Sequence, residues 1–170
     1  MEDKYQQIIT EMMDARGYEI TEVEADKMVA TKDTHNILVI SVSDSKLNTN
    51  TVKDLVAILE ENCLNHAIIV FNDTITSGAR KIIELAEQSH KIVIETFNRN
   101  ELQYNITTHR LQPLFEKCTP QEVSEIKSTC GTKLPIMLKT DPIARFYNYS
   151  RGDIIKIIRR NSFVSYRIVK

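Results

Sequence analysis

The sequence predicts an α/β domain over residues 1–104, followed by a small α+β domain over residues 105–170 that ends in a β-hairpin. In the first part, three short β-branched apolar runs alternate with amphipathic helices, which is typical of parallel strands joined by helical crossovers. These runs stop around residues 105–113. The chain then ends in two isoleucine- and valine-rich segments around a short polar turn, which predicts the hairpin.

A helix is predicted over residues 3–16, because its apolar side chains recur at helical spacing. Gly17 follows it and can adopt the left-handed conformation that ends helices. Thr21–Glu24 has the spacing of a capping box and predicts the start of a short second helix. The apolar stripe of the first helix consists of Tyr5, Ile8, Ile9, Met12 and Met13.

Three strands are predicted at Ile37–Val42, Ala67–Phe71 and Ile92–Phe97. Their near-continuous apolar character indicates burial on both faces of a sheet. An amphipathic helix separates each successive pair, one with its stripe over residues 52–63 and the other over residues 79–86. A strand–helix–strand order with helices of this length favours right-handed crossovers and parallel pairing, giving a βαβαβ unit.

The second domain contains two predicted helix starts. Thr119 is placed as an N-cap, with Pro120 at the first helical position and Glu122 at the reciprocal capping position, and Gly131 is expected to end this helix. Asp141 and Pro142 repeat the same arrangement. Ser150–Gly152 predicts a turn, and strands over 153–160 and 163–169 are expected to flank Asn161–Ser162 as a two-residue hairpin turn.

The composition excludes several classes of protein. The formal net charge is −1, which disfavours a simple basic nucleic-acid binder. No apolar run approaches the roughly 20 residues needed to span a bilayer, and the first residues have no signal-peptide pattern, so we expect a protein of the reducing interior of a cell. The 3 cysteines lack paired spacing and the 4 histidines are scattered, so neither a metal nor a cofactor is expected.

The C-terminal part resembles the assembly domain of the fifth subunit of eukaryotic RNA polymerases, which polymerases I, II and III share, and the corresponding subunit of archaeal polymerases. The family's LPxI motif appears as Leu134–Ile136, and its DPxAR motif as Asp141–Arg145. Further matches are Ile106–Leu111, Phe146–Tyr147, Gly152, Lys156–Arg159 and Tyr166–Val169. Upstream, Asp14–Tyr18, Ala67–Val70 and Thr76–Arg80 are similar to segments of the eukaryotic jaw domain.

This resemblance implies a jaw domain of restriction-endonuclease-like fold over residues 1–104 and an assembly domain over 105–170. It implies a non-catalytic polymerase subunit that docks on the largest subunit, contacts other subunits and places the jaw near downstream double-stranded DNA. No membrane partner and no small-molecule substrate are expected. The candidate interface residues are Asp141, Pro142, Arg145, Tyr147, Gly152, Lys156, Arg159, Tyr166 and Arg167; the candidate DNA-proximal residues are Thr76, Arg80 and Lys81.

Each candidate has a simpler interpretation beside it. Asp141 is expected to act mainly as a helix cap. Any single arginine of the basic C-terminal end can equally be part of a solvated rim, where an ion pair contributes little. By contrast, Tyr166 and Arg167 are residue types favoured as interface anchors. The second face of the isoleucine-rich hairpin needs a cover, either the helix near residues 119–128 or a partner.

The chain departs from the family pattern in three places. The hairpin tip at Arg160–Phe163 is shorter by a few residues, Asn148 stands where glycine is usual, and Ser77 replaces the proline of the jaw loop. Asparagine tolerates a positive φ, so the turn at Asn148 is expected to survive. Compactness and divergence together suggest a copy encoded by a large DNA virus, located in the host cytoplasm, a viral factory or the virion; a cellular copy would be nuclear.

Two other functions stay open at this point. The first is a metal-dependent nuclease of restriction-endonuclease-like fold, with Asp33 before a predicted strand and Asp44 and Lys46 after it, because such enzymes gather carboxylates and a lysine around a divalent ion. The second is a free transcription adaptor that never joins a polymerase. The sequence favours the polymerase subunit.

Overall fold

The structure is a computed structural model that describes residues 4–131 and 133–170, without the side chain of Cys130. The chain divides into two compact units, with the boundary between Tyr104 and Asn105. The first unit contains α1 (Lys4–Ala15), β1 (Glu19–Val23), β2 (Lys27–Lys32), β3 (His35–Ser41), β4 (Lys46–Leu47), α2 (Thr49–Glu61), β5 (His66–Phe71), β6 (Thr74–Ile75), α3 (Ser77–Ser89) and β7 (Val93–Asn98). No helix in either described range is long and apolar enough to cross a membrane.

The first unit is built on a five-stranded sheet of order β1-β2-β3-β5-β7. Strands β3, β5 and β7 pair in parallel, and α2 and α3 connect them in turn. The predicted βαβαβ unit is therefore confirmed. The two remaining strands extend the sheet by antiparallel pairing of β1 with β2 and of β2 with β3.

The short helix predicted from Thr21–Glu24 is wrong, because this segment lies in strand β1. Strand β1 is an edge strand whose side chains are mostly exposed, and its register shifts between Ile20 and Glu22. Such a strand shows no apolar alternation, since neither of its faces is fully covered. Pairing with β2 outweighs the local capping signal.

Both faces of the parallel sheet are buried. Leu38 of β3 packs in a core that includes Leu55 of α2 and Ala79 of α3. The side chains of Ile37 and Val39 project to the opposite face and are also buried. There, Val39 lies beside Tyr5 and Ile9 of α1 around a cavity of about 20 Å³. Helix α1 thus covers one face, and α2 with α3 covers the other.

The described residues of the second unit form a four-stranded sheet, two α-helices and a single 3-10 turn at Ile106–Thr108. Its elements are β8 (Leu114–Lys117), α4 (Pro120–Cys130), β9 (Ile136–Met137), α5 (Pro142–Phe146), β10 (Ile154–Ile158) and β11 (Val164–Val169). The sheet order is β8-β10-β11-β9, so the predicted hairpin of β10 and β11 is confirmed and forms the centre of the sheet. The sequence analysis missed both edge strands, of which β8 has 4 residues and β9 has 2.

The two helices of this unit cover opposite faces of the hairpin. Ile155 and Ile157 pack with Ile143 of α5 in one cluster. Ile154 packs with Ile126 of α4 in another. The helix near residues 119–128 therefore covers part of the second face of the hairpin. This is one of the two covers that the sequence analysis predicted, the other being a partner.

The hairpin turn differs from the predicted two-residue form. The backbone N–H of Ser162 donates to the carbonyl of Arg159 at 2.9 Å, and the N–H of Arg159 donates to the carbonyl of Phe163 at 3.0 Å. Ser162 has a φ of 60°, in the left-handed region. This arrangement is a three-residue loop made of a turn followed by one left-handed residue. The loop therefore comprises residues 160–162.

Candidate functional site

Asp141 caps helix α5. Its carboxylate accepts a hydrogen bond from the backbone N–H of Ile143 at 2.9 Å, and Pro142 follows in the first turn. Ile143, Ala144 and Phe146 of the same helix are buried. Asp141 therefore acts as the helix cap that was expected of it. Its side chain is half-buried, and Pro142 is exposed.

Aromatic side chains continue the chain beyond α5. The rings of Tyr147 and Tyr149 stack with centroids 5.3 Å apart, and Phe146 meets Tyr147 edge-on at the same separation. Burial raises the pKa of the Tyr149 phenol well above its usual range, and the neighbouring Tyr147 and Asp153 add to this effect. Tyr149 therefore stays neutral at physiological pH. Tyr147, which belongs to this cluster, and Arg145 are both half-buried.

The turn before β10 depends on two positive φ angles. Asn148 has a φ of 51°, which confirms that asparagine serves at this position, and Gly152 has a φ of 93°. The N–H of Gly152 donates to the carbonyl of Val169, and the Asp153 carboxylate accepts from the N–H of Ser150. The predicted turn at Ser150–Gly152 is confirmed. Gly152 is therefore required by the local backbone, whatever its relation to a partner.

Lys156 lies in the middle of the sheet, opposite Tyr166 of β11 and Glu116 of β8. Its ammonium is 4.0 Å from the Glu116 carboxylate. Tyr166 is half-buried against the α4 cluster, next to Ile154. The side chains of Lys156 and Tyr166 therefore both contact other residues of this unit and are not fully exposed.

The remaining two predicted interface residues are exposed. Arg159 lies at the start of the hairpin loop, and Arg167 projects from the face of β11 opposite to Tyr166. The Arg167 guanidinium donates a long hydrogen bond of 3.4 Å to the carbonyl of Ile136. The predicted interface residues on the strands therefore project from both faces of the sheet.

The three DNA-proximal candidates lie at the start of α3. The Thr76 hydroxyl caps the helix by accepting from the N–H of Ala79 at 3.2 Å. Arg80 and Lys81 are exposed. Arg80 lines an open groove of about 490 Å³ beside Asp73 and Glu101. The two carboxylates make this groove unfavourable for an anion.

The residues suggested for a nuclease do not meet. Asp33 lies in the turn before β3, and Asp44 follows the same strand. Strand β3 has 7 residues, which at about 3.3 Å per residue separates the two carboxylates by roughly 20 Å. One divalent ion needs its oxygen ligands within about 2.6 Å of itself. Among the described residues, no group of three or more His, Cys, Asp or Glu could hold a metal ion.

Sequence analysis missed a buried ion pair in the first unit. The Arg16 guanidinium binds the Glu95 carboxylate through two hydrogen bonds of 2.8 Å, and His66 Nε2 lies 2.8 Å from the same carboxylate. Burial alone would raise the pKa of Glu95, but the hydrogen bond to His66 and the charge of Arg16 together lower it. A signal existed, because Glu95 is the only charged residue in the apolar run Ile92–Phe97.

A second, half-buried cation lies after β7. The Arg99 guanidinium stacks over the Tyr5 ring at 4.4 Å and donates to the Ser41 hydroxyl at 3.0 Å. A cation held over an aromatic face is stabilised by the ring quadrupole. Arg99 therefore links the start of α1 to the end of β3. Together, Arg16 and Arg99 fix α1 on its face of the sheet.

A comparison with protein families identifies the second unit. The family model described as RNA polymerase Rpb5, C-terminal domain, matches residues 104–169. The whole chain is 35% identical over 188 aligned positions to a putative DNA-directed RNA polymerase subunit, 454R, of Invertebrate iridescent virus 6, with 100% of both chains covered. The chain belongs to the Rpb5 family of RNA polymerase subunits.

Cellular relatives agree with this assignment. The rpabc1 subunit of DNA-directed RNA polymerases I, II and III from Dictyostelium discoideum is 34% identical, over 79% of this chain and 72% of that one. The RPABC1 subunit of Caenorhabditis elegans is 32% identical, over 74% of this chain and 62% of that one. A solved structure of a protein of unknown function, AF1548, aligns with 76% of this chain and 79% of the AF1548 chain. The two are 16% identical in sequence, and the TM-score is 0.41.

Proposed function

We propose that this chain is a non-catalytic assembly subunit of a multisubunit DNA-directed RNA polymerase. The full-length similarity to a viral polymerase subunit, at 35% identity, carries the proposal. The match of residues 104–169 to the Rpb5 C-terminal domain supports it, since that range is almost the same as the second unit.

Within this role, the second unit is the assembly domain and docks on the largest polymerase subunit. Its sheet is compact and its two helices cover most of both faces, which suits a rigid docking module. The first unit is the jaw. Its mixed sheet, with helices on both faces, supports a restriction-endonuclease-like fold that serves as a scaffold.

The jaw is proposed to lie near downstream double-stranded DNA through the start of α3. The exposed side chains of Arg80 and Lys81 support this, together with the positive end of the helix dipole. In the assembled polymerase, an Arg80→Ala/Lys81→Ala variant should reduce the slope of log affinity against log salt by about 1 for each phosphate that the variant no longer binds. A Lys53→Ala/Lys91→Ala variant, which removes two exposed lysines elsewhere in the unit, is the control. An unchanged slope in the first variant would count against DNA contact at α3.

The similarity to an iridescent virus protein supports a viral origin for this copy, located in the host cytoplasm, a viral factory or the virion. The similarity to subunits of cellular polymerases supports the nucleus if the copy is cellular.

The test of the whole proposal is co-purification of the tagged, full-length chain from the cells or infected cells that encode it. Recovery of the two largest polymerase subunits in equal stoichiometry with the chain is the expected result. Recovery of the chain without them, bound only to regulators, would favour the free adaptor and overturn the proposal.

A further inference from the structure

The tip of the C-terminal hairpin places a serine directly behind two arginines. In one-letter code, the segment Arg159–Phe163 reads RRNSF. Ser162 is the only serine or threonine of the chain that follows an arginine by three residues, and Arg160 adds a second arginine two residues before it. No aspartate or glutamate occurs from Ile154 to Lys170. The hydroxyl group of Ser162 therefore lies in a stretch of the sequence whose formal charges are all positive.

The segment is accessible to solvent. Every residue from Arg159 to Phe163 is exposed, and Phe163 is 59% exposed. Within residues 4–131 and 133–170, the structure shows no side-chain partner for the guanidinium groups of Arg159 and Arg160 and none for the Ser162 hydroxyl. These groups are therefore available to a molecule that approaches the tip from outside.

The conformation of the loop does not account for a serine at position 162. Its φ of 60° lies in the left-handed region. Three-residue hairpin loops place glycine at this position, because a residue with a Cβ atom is disfavoured there. Asparagine is the next best residue in this conformation. The turn by itself would favour either of these residues, so the hydroxyl group is not a consequence of the turn.

The loop can open without disturbing the core of the second unit. Two backbone hydrogen bonds close it: the N–H of Ser162 donates to the carbonyl of Arg159 at 2.9 Å, and the N–H of Arg159 donates to the carbonyl of Phe163 at 3.0 Å. The buried residues Ile155 and Ile157 lie further along β10. Exposed ends of a structure open at a small part of the free energy of global unfolding. The segment can therefore become extended while the sheet stays folded.

We propose that Ser162 is a phosphorylation site for a serine/threonine protein kinase that selects arginine two and three residues before the acceptor. Such a kinase recognises Arg159 and Arg160 through carboxylates of its substrate groove, in the charge-assisted pairs that arginine favours. This charge pattern distinguishes its substrates from other exposed serines. Phe163 supplies an apolar side chain directly after the acceptor. The proposal goes beyond the role in a polymerase and does not depend on it.

The reaction is a phosphoryl transfer from ATP. The Oγ atom of Ser162 attacks the γ-phosphorus, so that an Oγ–P bond forms and the bond from that phosphorus to the bridging oxygen of ADP breaks. The hydroxyl proton passes to the catalytic aspartate of the kinase, and ADP leaves with the electron pair of the broken bond. The chain described here supplies only the acceptor.

Phosphorylation changes the charge of the hairpin tip. A phosphoserine carries a charge of about −1.5 to −2 at pH 7. At position 162 it offsets the positive charges of Arg159 and Arg160 and offers them oxygen atoms for bidentate hydrogen bonds. The unmodified tip attracts acidic groups, whereas the modified tip is nearly neutral and does not.

The test incubates the purified, full-length chain with ATP and the catalytic subunit of a cyclic-AMP-dependent protein kinase, which has this preference for arginine. Intact-mass and fragment mass spectrometry count and locate the phosphate. We expect a single phosphate, at Ser162. A kinase that selects acidic residues beside the acceptor is the enzyme control, and it should leave Ser162 unmodified.

Two arginine variants show whether the kinase reads the proposed pattern. Arg159→Ala/Arg160→Ala should slow phosphorylation of Ser162 by about a hundredfold, because each lost charge-assisted pair accounts for about tenfold. Arg151→Ala/Arg167→Ala removes two exposed arginines outside the loop and should leave the rate nearly unchanged. Ser162→Ala should abolish the modification. Circular dichroism must first show that all three variants are folded.

Three results of this experiment would overturn the proposal: phosphate mainly at another residue, only trace modification of the wild type, or equal rates for the wild type and Arg159→Ala/Arg160→Ala. A second measurement concerns the chain purified, with phosphatase inhibitors present, from the cells that produce it. We expect phosphate at Ser162 in this material. A chain recovered without phosphate at that position would equally overturn the proposal.

Discussion

The Arg16 guanidinium and the Glu95 carboxylate form two parallel hydrogen bonds of 2.8 Å, although the residues are 79 positions apart in the chain. The side chains are only 4% and 13% exposed. Arg16 follows α1 and Glu95 lies in β7, so the pair joins the first helix of the unit to the last strand of its sheet. Lys32 strengthens the same corner by donating to the carbonyl of Arg16 at 2.8 Å.

Glu95→Gln should strongly destabilise the first unit. The substitution keeps the shape of the side chain but leaves the buried charge of Arg16 without its counterpart, and breaking a buried pair in this way costs about 3 kcal/mol or more. Urea unfolding of the full chain, followed by far-ultraviolet circular dichroism, measures the change. Glu84→Gln on the exposed surface of α3 is the control and should change the free energy of unfolding by less than about 0.5 kcal/mol. Equal effects of the two substitutions would contradict the prediction.

The contribution of Glu95 should depend on pH in a defined direction. Its pKa is lowered in the folded chain from the ordinary value of 4.5. A lowered folded pKa means that the stabilisation is fully present above the unfolded value and is lost as the pH falls through the folded value. The difference in unfolding free energy between wild type and Glu95→Gln should therefore shrink as the pH falls below the ordinary value of 4.5. A difference that grows as the solution is acidified would disprove this linkage.

Gly78 allows the starts of α2 and α3 to approach each other. A Cβ atom at this position would lie 2.5 Å from the Thr49 hydroxyl oxygen. We therefore expect Gly78→Ala to destabilise the chain by about 1–2 kcal/mol, the usual cost of overpacking. In a Thr49→Ala background the same substitution should instead stabilise it by about 0.5–1 kcal/mol, because alanine favours the helix over glycine. A double-mutant cycle measured by urea unfolding tests this change of sign, and additivity of the two substitutions would refute it.

Gly152→Ala tests the turn before β10. No atom lies within 4 Å of the Cβ that alanine would add, so any effect comes from the backbone φ of 93°. We expect a loss of about 1–3 kcal/mol, the cost of holding a residue with a side chain in such a region. Arg151→Ala, at the exposed neighbouring position, is the control and should be nearly neutral. Thermal unfolding of the two variants side by side provides the measurement, and equal midpoints would rule out backbone strain as the reason for glycine.

Elements whose signals are local were predicted correctly. The capping box of α4 is present in full: the Thr119 hydroxyl accepts from the N–H of Glu122, and the Glu122 carboxylate accepts from the N–H of Thr119. Gly131 follows the helix with a φ of 74°, as its position predicted. The parallel strands were predicted because burial on both faces leaves continuous apolar runs in the sequence.

Edge strands and the candidate sites were harder to predict. Strands β1, β8 and β9 lie at sheet edges, where exposed side chains alternate with few buried ones, so their sequences resemble loops. The row formed by Leu114, Ile158 and Val164 was missed for a related reason. Leu114 and Val164 become neighbours only through pairing with Ile158, and no spacing along the chain indicates a contact made across three strands.

The amino-acid sequence by itself established the order of the central helices and strands, the caps of α4 and α5, and the turns at Asn148 and Gly152. It also established the protein family. Each of these depends on adjacent residues or on a motif along the chain. Only the folded chain shows that Glu95 binds Arg16 and that Asp33 lies far from Asp44. Only the folded chain shows that Leu114 and Val164 are exposed on either side of Ile158. Strand pairing and helix packing create these relationships between residues that are distant in sequence, and local conformational preference does not encode them.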